Sequence, residues 1–172
     1  VISDIIAEHR VDAWILEKVL AQSSEHLAQI EMNLANHSRA WVNTSRRLIG
    51  WHKAIKQNLI SSSSPPFDVH VCGGNWGLAC NAIHFIDLVA WWTNSKVDAV
   101  NTDGLGKWSA SKRQGFKDVN GILCIAFSDG SLLELSCEER PLPLQIKVVS
   151  QKAEWIIHEK NGTAFGPRGL KI

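Results

Sequence analysis

GGNWGLACNAIHFIDLVAWWTN, residues 73–94, is the stretch whose reading decides the fold. Two glycines open it, and glycine lets a backbone turn tightly or approach a neighbour closely. The remainder is long enough for about five helical turns. Leu78, Ile83, Ile86, Val89 and Ala90 recur at threes and fours, which predicts one side packed into a core. Cys80, His84, Asp87 and Trp91 follow the same spacing and form a second stripe. A titratable stripe on an otherwise apolar helix is a candidate active site. The competing reading is a core helix whose histidine is hydrogen-bonded in place.

Downstream of this helix the texture is that of strands. Residues 97–100, 121–127, 131–136, 146–149 and 153–158 read as strands, and Ser128-Asp129-Gly130 joins two of them as a hairpin. No helical pattern intervenes, so the second half is expected to be mostly antiparallel sheet fronted by the glycine-led helix. Upstream, residues 67–72 alternate as a strand feeding that helix. SSSSPP at 61–66 punctuates the chain as a loop. Residues 46–59 read as a helix with Leu48, Ile49, Ile55 and Leu59 inward and Arg47, Lys53 and Lys56 exposed. Residues 2–43 alternate helix, strand, helix, strand: a short helix at 3–9, a strand at 12–16, a helix capped by Ser23 or Ser24 with Leu27, Ile30 and Leu34 on one face, and a strand at 40–42. That alternation is the grammar of a parallel α/β sheet.

The composition is that of an ordinary globular chain. Of 172 residues, 45% are hydrophobic and 20% charged, and the net charge of +1 gives no reason to expect nucleic acid or an acidic membrane surface as a partner. No apolar run is long enough to span a bilayer. Four cysteines without a CxxC pair fit a reduced, cytoplasmic protein.

Several constellations carry candidate chemistry. His84 titrates near neutrality by type, and Lys18 follows a predicted parallel strand at its carboxyl end, where open α/β sheets bind ligands. A lysine and a histidine converging on one pocket can handle the proton of a reacting hydroxyl; a solvated loop lysine is the alternative. His70 with Cys72 on a strand, and Cys80 with His84 on a helix, suggest a tetrahedral zinc site, although the spacing matches no finger or ribbon. Lys107, Lys112, Arg113 and Lys117, interleaved with Trp108 and Phe116, suit an anionic group or a solvated turn. None of the glycines forms GxGxxG: Gly104-Leu105-Gly106 lacks both the third glycine and the helix.

The run WILEKVLAQSSEHLAQIEMNL, with Glu17, Lys18 and Val19 after a strand, resembles the end of the dinucleotide domain in the Gfo/Idh/MocA oxidoreductases, whose motif there is Glu-Lys-Pro. GGNWGLACNAIHFIDLVAWW is similar to their glycine-led helix, which carries an aspartate, three residues, then a histidine; His84 falls on that histidine. ILCIAFSDGSLLEL resembles their Gly-Ser hairpin. The resemblance runs in order from about residue 12 to residue 136.

It implies an amino-terminally truncated α/β plus α+β chain: residues 1–43 as the remnant of a Rossmann domain, and residues 44–172 as a mostly antiparallel open-sheet domain for substrate binding and oligomerisation. The implied reaction is hydride transfer between NAD or NADP and a hydroxyl-bearing carbon of a sugar, polyol or nucleotide sugar. Lys18 and His84 would be catalytic, with Glu17 and Lys18 beside the cofactor. The isolated chain is expected not to bind NAD, and a homo-oligomer is expected. Two departures stand out. Val19 replaces the family's proline, and Cys80 stands where the family has aspartate; a thiol with an ordinary pKa of about 8.5 is mostly neutral at pH 7. Asp87 or Asn81 is the substitute, or catalysis relies on Lys18 and His84 alone. NTSRRLIGWHKAIKQ resembles the segment entering the second domain, which makes Arg46 or Arg47 a pocket-facing arginine. Beside such a pocket, Lys112 and Arg113 would suit a substrate phosphate. The change at Cys80 also admits a non-catalytic sugar-binding or assembly domain of the same fold.

Overall fold

The computed structural model describes residues 2–21, 23–35, 39–62, 65–111 and 114–167. The chain divides into two compact units, Val1–Thr44 and Ser45–Ile172.

In the first unit, α1 (Ile2–Glu8) precedes β1 (Trp14–Leu16), α2 (Ser24–Leu34) and β2 (Ala40–Val42). β1 and β2 pair in parallel, Trp14 opposite Ala40 and Leu16 opposite Val42. Parallel neighbours need a crossover, and α2 supplies it. Its N-cap is Ser23, whose hydroxyl accepts the His26 N–H at 3.2 Å, satisfying one orphan donor of the first turn. The predicted apolar face of Leu27, Ile30 and Leu34 lines a groove of about 470 Å³ together with Leu16, Leu20, Trp41 and Val42. Past the strand ends, the Asn43 side-chain amide donates to the Glu17 carboxylate at 3.0 Å. The Lys18–Val19 peptide bond is cis.

The second unit opens with a 3-10 turn (Ser45–Leu48), then α3 (Gly50–Ser62), β3 (Asp68–Gly74) and α4 (Leu78–Thr93). The remaining strands are β4 (Val97–Asn101), β5 (Ser109–Ala110), β6 (Lys117–Asp118), β7 (Gly121–Phe127), β8 (Leu132–Glu138), β9 (Gln145–Val149), β10 (Glu154–His158) and β11 (Thr163–Phe165). Seven of these strands form one sheet in the order β11-β10-β9-β3-β8-β7-β4. Every pairing is antiparallel except β3 with β8, which run parallel at the centre.

Strand alternation sends one set of side chains to each face. Val69 and Val71 of β3, Leu133 and Leu135 of β8, Ile125 and Phe127 of β7, Ile146 and Val148 of β9, and Trp155 and Ile157 of β10 are all buried. They join one core with Phe85, Leu88 and Trp92 of α4 and Ile55 and Leu59 of α3. The opposite face of β3, β7 and β8 is open. There Asp68, His70, Cys124, Leu132 and Glu134 line a shallow groove of about 480 Å³. Among the described residues no helix is long and apolar enough to cross a membrane.

Three expectations need correction. The two glycines of GGNWG do not start the helix but finish β3; α4 is led by Gly77, at φ +77°. Gly74 is needed there for close approach, since a Cβ would lie 1.7 Å from the Arg140 carbonyl oxygen. Second, of the expected inward residues Leu78 and Val89 are buried and Ile86 and Ala90 pack against the core, but Ile83 is 40% exposed, and Ala82, Phe85, Leu88 and Trp92 complete the buried face. This helix is apolar on several sides, so more than one stripe fits its spacing. The large rings of Phe85 and Trp92 decide, because they remove the most surface from water. Third, the 46–59 segment is a 3-10 turn followed by a helix, not one helix. The break turns Leu48 outward, 73% exposed, where an inward position was expected. Lys56, expected outside, is half-buried against α4.

Candidate active site

α4 is the platform, and its start is fixed from outside. Gly77 has no side chain to cap the helix. Asp118 at the end of β6 takes over: its Oδ1 accepts the Ala79 N–H at 2.9 Å and the Val119 N–H at 2.9 Å. A carboxylate at that position also suits the positive end of the helix dipole. The amide of Asn81 donates back to the carbonyls of Trp76 at 2.7 Å and Gly77 at 3.1 Å. Trp76 in turn donates its indole N–H to the Ser136 carbonyl at 2.9 Å and meets Phe85 edge-on. The first two turns of α4 are thus tied to both the β5–β6 hairpin and β8.

The expected stripe lies along this platform. Cys80 is exposed, and Asn81, His84, Asp87 and Trp91 are half-buried. Asp87 is 16% exposed and is gripped by Arg47, whose Nε donates at 2.6 Å while a second guanidinium nitrogen donates to the other carboxylate oxygen. One turn on, the Lys56 ammonium donates to the Trp91 carbonyl and lies 4.3 Å over the Trp91 ring.

Arg46 does something different from its neighbour. Its Nε and Nη2 donate to the two oxygens of Glu159 at 2.7 and 2.8 Å, and its guanidinium carbon sits 4.2 Å over the Phe85 ring. His52 adds a third member, Nε2 to Glu159 Oε1 at 3.0 Å, and is wholly buried beneath Trp51. Burial alone would raise the Glu159 pKa, but hydrogen bonds from His52 and Arg46, and their charge, bring it down to about 2. Of the two arginines expected to face a pocket, Arg46 is therefore bound into a largely buried ion pair, and Arg47 is held by Asp87.

His52 and Glu159 were missed in the sequence. His52 shares a helical face with Ile55 and Leu59, at three- and four-residue steps, so its inward position was readable. Glu159 lies in a 3-10 turn after β10 and carries no local signal.

The zinc set is not assembled. His70 and Cys72 lie on the open face of β3, while α4 packs on the other face, so the sheet stands between them and Cys80 and His84. His70 Nδ1 instead lies 3.5 Å from Glu134. Among the described residues no group of three or more His, Cys, Asp or Glu is placed to hold a metal. In the basic run, Lys107 and Lys117 are exposed at the β5–β6 hairpin, and Lys112 and Arg113 lie outside the described residues. Lys18, half-buried, and Glu17, exposed, follow β1 in the first unit.

No protein-family model and no curated protein matches the chain. Solved structures do. The myo-inositol dehydrogenase of Lactobacillus casei, in complex with NAD(H) and myo-inositol, matches 91% of this chain and 57% of its own, at 16% identity and a TM-score of 0.63. A UDP-N-acetylglucosamine 3-dehydrogenase from Acidithiobacillus ferrooxidans matches all of this chain and 66% of its own, at 13% identity and a TM-score of 0.67. An oxidoreductase from Sinorhizobium meliloti matches 92% and 49%, at 12% identity and a TM-score of 0.66. This chain thus spans only part of the length of each. At such identities the likeness is one of fold.

Proposed function

From the premise that the chain has the fold of the Gfo/Idh/MocA-type oxidoreductases, we propose that it is part of an NAD(P)-dependent dehydrogenase acting at a hydroxyl-bearing carbon of a sugar, polyol or nucleotide sugar. The observation that carries this reading is the order of parts in one chain. Lys18 follows β1 of a parallel β1–β2 pair by two residues, and a helix backed by a seven-stranded sheet then presents His84.

The residues of the first unit suit one end of the cofactor only. Glu17 and Lys18 leave β1 at its carboxyl edge, the edge at which open α/β sheets bind ligands. No GxGxxG stands in this sequence to hold the pyrophosphate, so that part falls to a preceding Rossmann segment of the full-length parent. Bound nicotinamide supplies a hydride acceptor. The chain's own residues do the rest: the imidazole of His84 takes the hydroxyl proton, and the Lys18 ammonium favours the negative charge that develops on the substrate oxygen.

Oligomerisation through the open face of the seven-stranded sheet belongs to the same proposal. That face exposes Leu132, Ile122 and Cys124, and an uncovered apolar sheet face is a common site of association.

A second reading, a non-catalytic sugar-binding or assembly domain, is favoured by one feature: the carboxylate nearest His84 along α4, Asp87, is held by Arg47, and Cys80 offers a thiol instead. Turnover separates the two. In the full-length parent, reduction of NAD or NADP is measured with a panel of sugars, polyols and nucleotide sugars. A dehydrogenase turns over at least one of them. A parent that binds a sugar but never reduces the cofactor is a binding module.

A further inference from the structure

Two cations and one carboxylate meet along a single turn of α4. Asp87 and Trp91 are four residues apart, so they lie one above the other on the helix surface. Arg47 reaches Asp87 from the 3-10 turn, and Lys56 reaches the Trp91 carbonyl and ring from α3. His84 stands one turn before Asp87 on the same stripe. Formal charge here is two positive against one negative, and the partial negative charge of the last turn of α4, where Lys56 bonds the Trp91 carbonyl, offsets only part of the excess.

The donors are in excess as well. Arg47 spends Nε and Nη2 on Asp87, out of five guanidinium N–H groups. Lys56 spends one of three ammonium protons on a carbonyl. Neither cation is deeply buried: Arg47 is 41% exposed and Lys56 half-buried, so solvent reaches the groups that remain.

We propose that Arg47 and Lys56 form an oxyanion subsite beside His84, so that the substrate carries a carboxylate or a phosphate in addition to its reacting hydroxyl. The two cations do not shield each other. Burial, and then the charge of Arg47, push the Lys56 pKa down, which places Lys56 in a field Asp87 leaves partly positive. An anion there restores balance, and the guanidinium edge with an ammonium beside it is the donor set that carboxylates and phosphates accept. Asp87 fixes the guanidinium plane and leaves it little freedom to lose on binding.

The role of His84 in this subsite rests on the dehydrogenase reading, but anion binding does not. The test is therefore made by NMR titration of the 172-residue chain without cofactor, using gluconate, glucose 6-phosphate and glucose as probes. At least one charged probe is expected to bind about tenfold more tightly than glucose, shifting the Trp91 indole and Lys56 signals. Tighter binding of gluconate marks a carboxylate substrate and tighter binding of glucose 6-phosphate a phosphate one. Lys56→Met is expected to remove the advantage of the charged probe and Lys56→Arg to keep it. Equal binding of all three probes, or an undiminished charged-probe affinity in folded Lys56→Met, overturns the subsite. Loss of the dehydrogenase reading shows separately, as absent turnover in a parent that still binds the charged probe.

Discussion

The guanidinium of Arg46 and the carboxylate of Glu159, 113 positions apart, close on each other through two hydrogen bonds of 2.7 and 2.8 Å. Side-chain exposure is 18% and 16%, and His52 completes the group from α3 at 0%. The pair thereby ties the opening 3-10 turn of the second unit to the turn after β10. A charge pair removed from water contributes only when its hydrogen bonds are complete, and breaking one partner leaves the other stranded.

Acid should weaken the contribution of this group. The Glu159 pKa is lowered from 4.5 to about 2, so the group binds fewer protons folded than unfolded. Its contribution is therefore fully present above pH 4.5 and is lost as pH falls from there towards 2. A shift of that size corresponds to on the order of 3 kcal/mol. Denaturant midpoints of the chain measured between pH 6 and pH 2.5 should fall on this limb. In Glu159→Gln the neutral-pH midpoint should be lower and the acid limb flatter; an unchanged limb would remove Glu159 as its source.

The burial of α4 makes a sharp contrast between two neighbouring residues. Phe85→Ala removes a ring that is 1% exposed and touches both Trp76 and Arg46. It should cost about 3–5 kcal/mol. Ile83, two positions earlier and 40% exposed, should change stability by about 0.5 kcal/mol or less on replacement by alanine. Equal costs from urea unfolding would mean that the helix presents a different face to the sheet.

That contrast also marks what was legible beforehand. Strand positions in the second half were readable because alternation in GILCIAF and LLELSCE is a two-residue signal that burial on one face enforces. The parallel β1–β2 pair was readable from its alternation with helices. The inward face of α4 was readable in part: Leu78 and Val89 were expected inward and are buried, whereas Ile83 and Phe85 are apolar on different sides and only the tertiary fit of Phe85 and Trp92 chooses between them. The parallel contact of β3 with β8 was hidden too, since their pairing spans more than sixty residues in the register Asp68 opposite Leu132. Among candidate residues, the stripe of Cys80, His84 and Asp87 could be read from helical spacing. Partners could not: Arg47 for Asp87, and Glu159 for Arg46, are choices made by packing between distant segments.

The trans cap of α4 gives another measurable expectation. Gly77 cannot accept from Ala79, so Asp118→Ala leaves that N–H to water and should lower stability by about 1 kcal/mol. Asp118→Asn, which retains an acceptor, should lose less. Faster amide exchange at Ala79 in the alanine variant would locate the effect at the helix start. Identical exchange in wild type and variant would show that Asp118 does not cap the helix.

The proposal that Lys18 and His84 act on one substrate is tested most directly by single-turnover hydride transfer in the full-length parent. The parent is loaded with NAD or NADP and with the substrate the panel identifies. Lys18→Met and His84→Asn should each slow reduction of the nicotinamide by about a hundredfold or more, and the double variant should lose less than the product of the two, because both residues serve the same proton transfer. Reduction at the wild-type rate in either single variant would contradict the account.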